Sequence, residues 1–528
     1  MLVDRQEVQK KGMRLLKKGH IGMARLVFSR TGLLVLLLLL QVALVLTAFI
    51  LCEQYMPHLI ILQGIFVVVM VLYLINSSLD PSAKITWLIF IMIVPIFGTL
   101  FLLYTRTDLG HRALRDRTRL LDESTRHTLS QNERAMEGLE KISPESAALD
   151  RYLNRTGCFP VYDRTAVKYF PLGEDKFEEL LKQLEAAEHF IFLEYFIVEE
   201  GEMWGSILEI LARKAKQGVE VRVMYDGTNE FSTLPYSYPG KLRALGIQCK
   251  VFAPLAPFVS THYNYRDHRK ILVIDGHTAF TGGINLSDRY INREQVYGHW
   301  KDTAVMLKGE AVRSFTLMFL QMWNIDEKEP EFTRYLNCPA RPEAEAPGYV
   351  IPYGDSPMDG YRVGEMVYID ILNRAQSYVH IMTPYLILDG ELDTALRFAA
   401  ERGVEVSIIL PGIPDKKAPY ALAKTHYASL IQAGVKIYEY TPGFVHAKVF
   451  SSDDRKAVVG TINLDYRSLY HHFECAAYMV DVPCIRDIEA DFAATLEKCH
   501  RVTMEDIKKQ KAGTKLLGIL TKAIASIL

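Results

Sequence analysis

The chain has 528 residues, which is enough for two or three domains of ordinary size, and its formal net charge is −1. So small a net charge provides no global basic field, and nucleic acid is therefore not an expected partner. The seven cysteines are an odd number and include no CxxC pair, which argues against a disulfide framework or a zinc site and favours reduced thiols.

The N-terminal part combines a basic segment with a predicted transmembrane region over residues 31–105. Residues 1–30 are rich in Lys and Arg and can form a basic amphipathic helix. Residues 31–52, 54–79 and 85–105 carry no formal charge, and each run is long enough to cross the roughly 30 Å hydrocarbon layer as a helix. Buried core helices are the alternative, but three such runs so close together favour an integral membrane protein.

The orientation of these predicted crossings poses a parity problem. Lys and Arg near membrane ends prefer the cytoplasm, and both the N-terminal segment and the segment after Tyr104 are basic. Three full crossings cannot place both flanks inside, so either one run does not span or one flank violates the rule. We expect a multi-pass protein of the cell membrane whose soluble part faces the cytoplasm.

The soluble part is predicted to be a duplicated α/β domain. Residues 106–148 are polar and helix-prone and are expected to form a linker. Two similar halves follow over 149–328 and 351–499, separated by a linker over 329–350. The stretch from Asp326 to Pro347 is acidic and contains prolines. Both halves show a buried strand, a helix and a Gly-Val-Glu-Val strand in the same order. Strands that alternate with helices predict a sheet covered by helices, and a repeat of this length indicates domain duplication.

Each half also carries one copy of a motif nineteen residues long. The first copy reads "HRKILVIDGHTAFTGGINL" and the second reads "HAKVFSSDDRKAVVGTINL". Lys, Asp, Gly and Asn follow the first His at identical offsets in both copies, which chance does not plausibly explain. The matched polar residues are His268, Lys270, Asp275 and Asn285 in the first half and His446, Lys448, Asp453 and Asn463 in the second.

The motif residues have the chemistry of a phosphate site. On a strand, a His and a Lys two residues apart point to the same face. Lys supplies charge, Asn supplies N–H groups, and an imidazole can attack phosphorus or carry a proton. Two such sets around one phosphate explain the two histidines, since one can act as the nucleophile while the other protonates the leaving alkoxide and later serves as a base.

Two acids beyond the asparagines are predicted to orient the histidines. A histidine that reacts through one ring nitrogen needs an acceptor for the other. Asp302, in "HWKDTAVML", and Glu474, in "HHFECAAYMV", each stand ahead of a predicted apolar strand. The alternative is that both are ordinary acids at strand ends.

The last segment, residues 500–528, is predicted to be a basic amphipathic C-terminal helix. Its apolar residues, among them Leu516 and Leu520, recur at helical spacing, with lysines before them. An interfacial helix on anionic lipid and a helix docked on the protein's own core both fit this pattern.

The paired motifs resemble the two HKD motifs of the phospholipase D superfamily. The resemblance extends to bacterial cardiolipin synthases and covers most of residues 80–500. "LEYFIV", "TPYLIL", "NYRDHRK", "NLDYRS" and the apolar segment "DPSAKITWLIFIMIVPIFGTLFLLY" are all similar to phrases of that family. One departure is the apolar run 31–52, since the family commonly shows two membrane segments.

This resemblance implies two phospholipase D-like lobes related by a pseudo-two-fold axis, preceded by transmembrane helices, with one active site between the lobes. It implies a phosphatidyl-histidine intermediate with no cofactor and no metal. By position, His268 is the expected nucleophile and His446 the expected acid and base. Asp275 and Asp453 complete the catalytic motif, although the resemblance implies that their role is mainly structural.

The expected activity is phosphatidyl transfer from one phosphatidylglycerol to another, which yields cardiolipin and glycerol. The expected partners are phosphatidylglycerol and anionic membrane lipid. A hydrolytic phospholipase D and a synthase that uses phosphatidylethanolamine as donor remain alternatives. A nuclease is disfavoured by the apolar runs, and a non-catalytic lipid scaffold is disfavoured by the complete motif in both halves.

Overall fold

The computed structural model describes residues 43, 47, 56–77, 79–106, 109–254, 265–338 and 346–525. The chain divides into two compact units. One unit contains most of the chain between Leu114 and Ile519. The other contains the helices before Leu114 and the residues from Leu520 onward.

The smaller unit holds the apolar helices α1 (Met56–Ile75), α2 (Pro81–Ile93) and α3 (Pro95–Arg106). Helix α2 starts where the Asp80 carboxylate accepts the backbone N–H groups of the first turn. It ends at Ile93 because the residue after Val94 is proline, which lacks an N–H group and disfavours helical geometry in Val94. The prediction of one continuous helix over 85–105 is therefore wrong.

A membrane crossing needs a helix that is both long and apolar, and among the described residues no helix meets both conditions. The predicted crossings over 54–79 and 85–105 are therefore not supported by the structure. The predicted crossing over 31–52 lies outside the described residues except for positions 43 and 47, and the segment 1–30 lies outside them entirely.

Helices α4 (Leu109–Thr125), α5 (Glu133–Ile142) and α6 (Pro144–Gly157) occupy the stretch before the first sheet. Part of the predicted linker is integral to the core, since Ala135 and Leu139 are fully buried. The hydroxyl of Ser146 also lies 2.9 Å from that of Tyr478 in the second half. Helices α5 and α6 therefore pack as part of the domain.

Among its described residues, the first half supplies nine strands and six α-helices. The strands are β1 (Ala166–Phe170), β2 (Phe190–Tyr195), β3 (Glu220–Asp226), β4 (Gln248–Phe252), β5 (Arg266–Asp267), β6 (Lys270–Ile274), β7 (Thr278–Gly282), β8 (His299–Lys301) and β9 (Ala304–Lys308). The helices are α7 (Gly173–Glu185), α8 (Glu202–Lys216), α9 (Asn229–Ser232), α10 (Tyr238–Ala244), α11 (Val312–Trp323) and α12 (Thr333–Leu336). Strand β2 is buried along its whole length, as expected of a strand covered by helices on both faces.

The second half supplies the remaining strands and helices. The strands are β10 (Tyr349–Asp355), β11 (Tyr378–Met382), β12 (Glu405–Pro411), β13 (Lys436–Tyr440), β14 (Gly443–Val445), β15 (Val449–Ser452), β16 (Lys456–Gly460), β17 (His472–Val480) and β18 (Cys499–Arg501). The helices are α13 (Val363–Arg374), α14 (Gly390–Glu401), α15 (Lys417–Gln432), α16 (Tyr466–Tyr470), α17 (Ile485–Leu496), α18 (Met504–Lys509) and α19 (Ala512–Lys522).

The two main sheets repeat one topology. The first has the order β1-β9-β7-β6-β2-β3-β4, and the second has the order β10-β17-β16-β15-β11-β12-β13, extended by β18. Every strand of the first sheet has a counterpart at the same place in the second. The predicted α/β fold with two similar lobes is confirmed.

The motif glycines allow the close packing at the end of these strands. A Cβ atom at Gly282 would lie 2.4 Å from the carbonyl oxygen of Thr303, and one at Gly460 would lie 2.4 Å from the Cβ of Ala476. Neither position has room for a side chain, which explains why both copies of the motif have glycine there.

Two short strand pairs join the lobes reciprocally. Strand β5, just before His268, runs parallel to the start of β17. Strand β14, just before His446, runs parallel to β8. Each lobe therefore places the segment before its histidine beside the segment before the other lobe's acid, as expected for lobes related by a pseudo-two-fold axis.

The described residues of the C-terminal segment form two helices, so the prediction of a single helix over 500–528 is wrong. Helix α18 ends where Gln510 takes an extended conformation (ψ 135°), and α19 follows. Gly518 packs closely on α15, since a Cβ there would lie 2.4 Å from the carbonyl oxygen of Ala421. Leu516 and Ile519 remain largely exposed. Helix α19 thus has one docked face and one exposed apolar face.

Candidate active site

The inter-lobe strand pairs set the position of both motif histidines. In the first pair, Asp267 lies opposite Phe473, so the next residues in register are His268 and Glu474. The His268 N–H group continues the ladder by donating to the Phe473 carbonyl at 3.0 Å. In the second pair, Val445 lies opposite Lys301, so the next residues in register are His446 and Asp302.

Each histidine contacts the acid of the opposite lobe. Nδ1 of His268 lies 2.9 Å from both carboxylate oxygens of Glu474. Nδ1 of His446 lies 2.6 Å from Oδ2 of Asp302. Both acids are fully buried, and both histidines are more than nine-tenths buried. With Nδ1 engaged by a carboxylate, Nε2 is the nitrogen of each ring that remains for chemistry.

The two motif lysines are buried beside the histidines. Nζ of Lys270 donates to the carbonyl oxygen of His268 at 2.5 Å, and Nζ of Lys448 donates to the carbonyl oxygen of His446. Burial lowers the pKa of Lys270 to about 8 and that of Lys448 to about 7, although Glu474 and Asp302 respectively act in the opposite direction. A bound anion would raise the pKa of both lysines and favour their charged form, because it compensates for their lost hydration.

The ionisation of the histidine–acid pairs suits a nucleophile that must be neutral. Burial lowers the pKa of His446 to about 4 and that of His268 well below its usual value. Burial alone would raise the pKa of Glu474, but its contacts with His268 and His472 outweigh that effect and hold the pKa well below its usual range. At pH 7 the imidazoles are therefore neutral, and Glu474 is ionised.

Aromatic rings surround both imidazoles. The ring centroid of Phe196 lies 5.0 Å from that of His268. The rings of Tyr290 and Trp300 lie 5.4 Å and 5.3 Å from that of His446. These apolar walls reduce the local dielectric and strengthen any charge interaction made inside them.

The motif asparagines are buried, and one already has partners within the protein. Asn285 accepts the backbone N–H of Ile197 at 3.0 Å and donates to the Tyr290 hydroxyl at 2.9 Å. Tyr290 is also the ring beside His446, so this asparagine is linked to the second histidine. Asn463 is 5 % exposed, and its Oδ1 has no hydrogen-bond partner among the described residues. The assignment of both asparagines to phosphate binding stays a prediction.

The structure does not bring the motif aspartates to the histidines. Asp275 follows β6 and Asp453 follows β15, so a whole strand separates each carboxylate from the histidine of its motif. Each carboxylate instead accepts three backbone N–H groups at the start of a neighbouring strand. Both residues have a left-handed backbone, with φ of 53° and 55°. Their position fits the structural role that the resemblance implies and not direct participation in catalysis.

Sequence reasoning missed two buried basic residues near the site. His472 begins β17, and its ring centroid lies 5.2 Å from that of His268. Lys176, on α7, is 1 % exposed, and its Nζ lies 3.3 Å from the Tyr195 hydroxyl. Neither residue belongs to the repeated motif. The pair of adjacent histidines in "HHFE" is a feature of the sequence that could have indicated His472, and no comparable feature marks Lys176.

Two groups among the described residues could hold a metal ion. Ligand atoms of His268, His472 and Glu474 all lie within 4.8 Å of one another, and the same is true of Glu365, Asp389 and Glu391. The expectation that transfer needs no metal stays a prediction.

The geometry as a whole is suited to displacement at phosphorus. Each lobe supplies one imidazole with a free Nε2 atom. A neutral imidazole can attack phosphorus, and the other imidazole, once protonated, can deliver a proton to the leaving oxygen of the same phosphate. Two buried lysines can hold its oxygens as charge develops.

Comparison with known proteins agrees with the duplicated α/β fold and with a site for chemistry at phosphorus. A family model described as "Cardiolipin synthase, PLD-like domain" matches residues 180–323 and 368–496, one match in each lobe. Among solved structures, a phosphatidylserine synthase of Haemophilus influenzae Rd KW20 superimposes with a TM-score of 0.56 at 15 % identity. That superposition covers 73 % of this chain and 100 % of the other, and it shows likeness of fold.

Sequence relatives span nearly the whole chain. An uncharacterized protein of Streptococcus mutans is 59 % identical over 87 % of this chain and 99 % of its own length. A cardiolipin synthase of Halalkalibacterium halodurans is 31 % identical over 95 % of this chain and 100 % of its own length. With both lobes matched and the paired histidine sites in place, this chain belongs to the cardiolipin synthase family of the phospholipase D superfamily.

Proposed function

We propose that the protein is a cardiolipin synthase that transfers the phosphatidyl group of one phosphatidylglycerol to a second. The observation that carries this proposal is the reciprocal pairing of His268 with Glu474 and of His446 with Asp302, beside two buried lysines. This pairing supports the proposal independently of family membership, because it provides two imidazoles that can react at one phosphate.

In the first step, Nε2 of His268 attacks the phosphorus of the donor lipid. A P–N bond forms and the P–O bond to the departing glycerol breaks. His446 gives its Nε2 proton to the glycerol alkoxide, which leaves as glycerol. His446 must be protonated for this step, and the negative charge of the bound phosphodiester supports that by raising its pKa from about 4.

In the second step, a hydroxyl of another phosphatidylglycerol reacts with the phosphatidyl-histidine. His446 takes the hydroxyl proton, the oxygen attacks phosphorus, and the P–N bond to His268 breaks. The products are cardiolipin and a neutral His268, and His446 has regained its proton. Lys270 and Lys448 hold the phosphoryl oxygens in both steps. One phosphodiester is made for each one broken, so no nucleotide is required.

Transfer to a lipid competes with hydrolysis, because water is present at about 55 M. A hydroxyl held in line beside the phosphatidyl-histidine reacts as if intramolecular, and well-oriented groups reach effective molarities of about 10⁵–10⁸ M. The deep burial of the histidines and the aromatic walls around them also restrict water.

We further propose that the enzyme is held at the cell membrane with its catalytic lobes on the cytoplasmic side. Its proposed substrates are membrane lipids, and residues 31–52 carry no formal charge. On α1, Ile61, Leu62 and Ile65 are each more than half exposed, and such apolar surfaces are a common feature of membrane contact.

The activity is tested with the purified full-length chain and phosphatidylglycerol labelled in its headgroup. We expect cardiolipin and free glycerol in equal amounts, unchanged by a metal chelator, and we expect added glycerol to convert cardiolipin back. Products are identified by mass spectrometry. The His268→Gln protein, made in the same host, controls for a contaminating host synthase.

Three results would contradict this proposal. Phosphatidic acid as the main product would favour a hydrolase. Cardiolipin formed only after phosphatidylethanolamine is added would favour the other donor. Loss of activity with the chelator would argue against a metal-free histidine mechanism.

The cytoplasmic location is tested with a membrane-impermeant thiol reagent on intact cells. Cys338 is partly exposed in the structure and is a suitable target, whereas Cys158 and Cys249 are buried. We expect Cys338 to label only after the membrane is opened, with the Cys338→Ser protein as the control. Labelling of Cys338 in sealed cells would place the catalytic lobes outside.

A further inference from the structure

The cluster of His268, His472 and Glu474 has a composition that the transfer reaction does not explain. His472 is 8 % exposed, and its Nδ1 has no hydrogen-bond partner among the described residues. That nitrogen lies 3.5 Å from Oε1 of Glu474, the carboxylate that also orients the nucleophile. A buried imidazole nitrogen that makes no hydrogen bond is costly, and the transfer reaction gives no reason for this one to lie beside the Glu474 carboxylate.

The potential ligand atoms of the cluster lie close together. Oε2 of Glu474 accepts a hydrogen bond from the Thr461 hydroxyl, which fixes the carboxylate and leaves Oε1 facing both imidazoles. The three ligand atoms lie within 4.8 Å of one another, so small side-chain rotations bring them to the spacing of a metal coordination sphere. Phe196 lies against both imidazole rings, at 5.0 Å and 6.3 Å between centroids.

Two imidazoles and one carboxylate are the ligands that Zn²⁺ and neighbouring transition metals prefer, whereas Mg²⁺ and Ca²⁺ prefer oxygen. We infer that His268, His472 and Glu474 form a binding site for a divalent transition-metal ion such as Zn²⁺, and that an ion bound there inhibits phosphatidyl transfer. The binding half of this inference is independent of the proposed function, and the inhibition half rests on it.

Inhibition follows from the tautomer of His268. When Nδ1–H donates to Glu474, Nε2 carries the lone pair that attacks phosphorus. A metal ion takes the lone pair of Nδ1, so the single proton of the neutral ring must reside on Nε2. No bond to the substrate changes, but the nucleophilic lone pair is lost. The ion also removes Glu474 as the acceptor that orients the ring.

Metal binding is measured on the full-length protein in detergent micelles without lipid. Titration with Co²⁺, followed by its visible absorption, and with Zn²⁺, followed by calorimetry, should each show one ion per chain at this site. His472→Phe keeps a ring and removes one ligand. We expect it to weaken binding at least about tenfold, since even groups behind a metal ligand are worth about 10–100-fold in affinity.

His471→Phe is the matched control, because it makes the same change one residue earlier, at a histidine outside the cluster. It should bind both ions as the unmodified chain does. Should His472→Phe fail to fold by circular dichroism, His472→Asn provides a second variant that lacks the imidazole and is subject to the same expectation.

Transfer is then measured at each metal concentration. Zn²⁺ should inhibit the unmodified chain and His471→Phe over the range in which it binds, and His472→Phe should need at least about tenfold more. Absence of binding to the unmodified chain, or equal binding to His472→Phe, would overturn the site. Binding with undiminished transfer would overturn only the inhibition. Absence of transfer before any metal is added would count against the proposed function and leave the binding result intact.

Discussion

Replacing either motif histidine with glutamine should abolish cardiolipin formation, because each lobe supplies only half of one site. Loss of a general acid and base costs about 10²–10⁴-fold in rate, and loss of the nucleophile costs at least as much. His268 and His446 are both buried and each contacts an acid of the other lobe, so neither can substitute for the other. Single-turnover assays with labelled phosphatidylglycerol measure the loss.

The two variants should fail at different steps. In His446→Gln the first step can proceed slowly, and the second lacks its base, so a phosphatidyl group should accumulate on His268. Mass spectrometry of the quenched protein detects that adduct. His380→Gln is the matched control, since His380 also contacts an acid, Glu489 at 2.7 Å, but is not part of the site. An adduct on His446 in the His268→Gln protein would reverse the assignment of roles, and near-normal activity in either variant would contradict a shared site.

The fold was largely visible in the sequence. Alternating strands and helices and two copies of a motif at identical offsets predicted two similar α/β lobes, and the matching strand orders confirm them. The break within 85–105 was also readable, because Pro95 stands in the middle of the apolar run. The prediction of a continuous helix rested on apolar composition alone and did not take Pro95 into account. A single proline is enough to end a helix.

The site was predictable as a list of residues but not as an arrangement. Both acids were named, yet spacing along the chain gives no information on which acid meets which histidine. The answer depends on β5 and β14, strands of two and three residues that pair only because the lobes pack face to face. Strands this short have no periodicity to detect. The sequence did not identify His472 for a related reason, since this residue reaches the site only through the pairing of β5 with β17.

The crossed pairing leads to the second large effect, which is expected from Glu474→Gln and Asp302→Asn. A side-chain amide can donate a hydrogen bond to Nδ1, which forces the ring proton onto Nε2 and removes the reactive lone pair. In a serine protease triad the corresponding change costs about 10⁴-fold in kcat, and we expect about 10²–10⁴-fold here. The carboxylate charge that stabilises a protonated imidazole is lost as well.

The step at which each variant fails distinguishes crossed pairing from pairing within one lobe. Glu474 contacts His268, so Glu474→Gln should prevent formation of the phosphatidyl adduct. Asp302 contacts His446, so Asp302→Asn should slow the release of that adduct and let it accumulate. Pairing within each lobe predicts the opposite assignment. Glu489→Gln changes an acid that contacts His380 elsewhere in the second lobe, and it should leave both steps unchanged. Measuring adduct and cardiolipin in the same quenched samples separates the two steps, because a general loss of folding would diminish both products together.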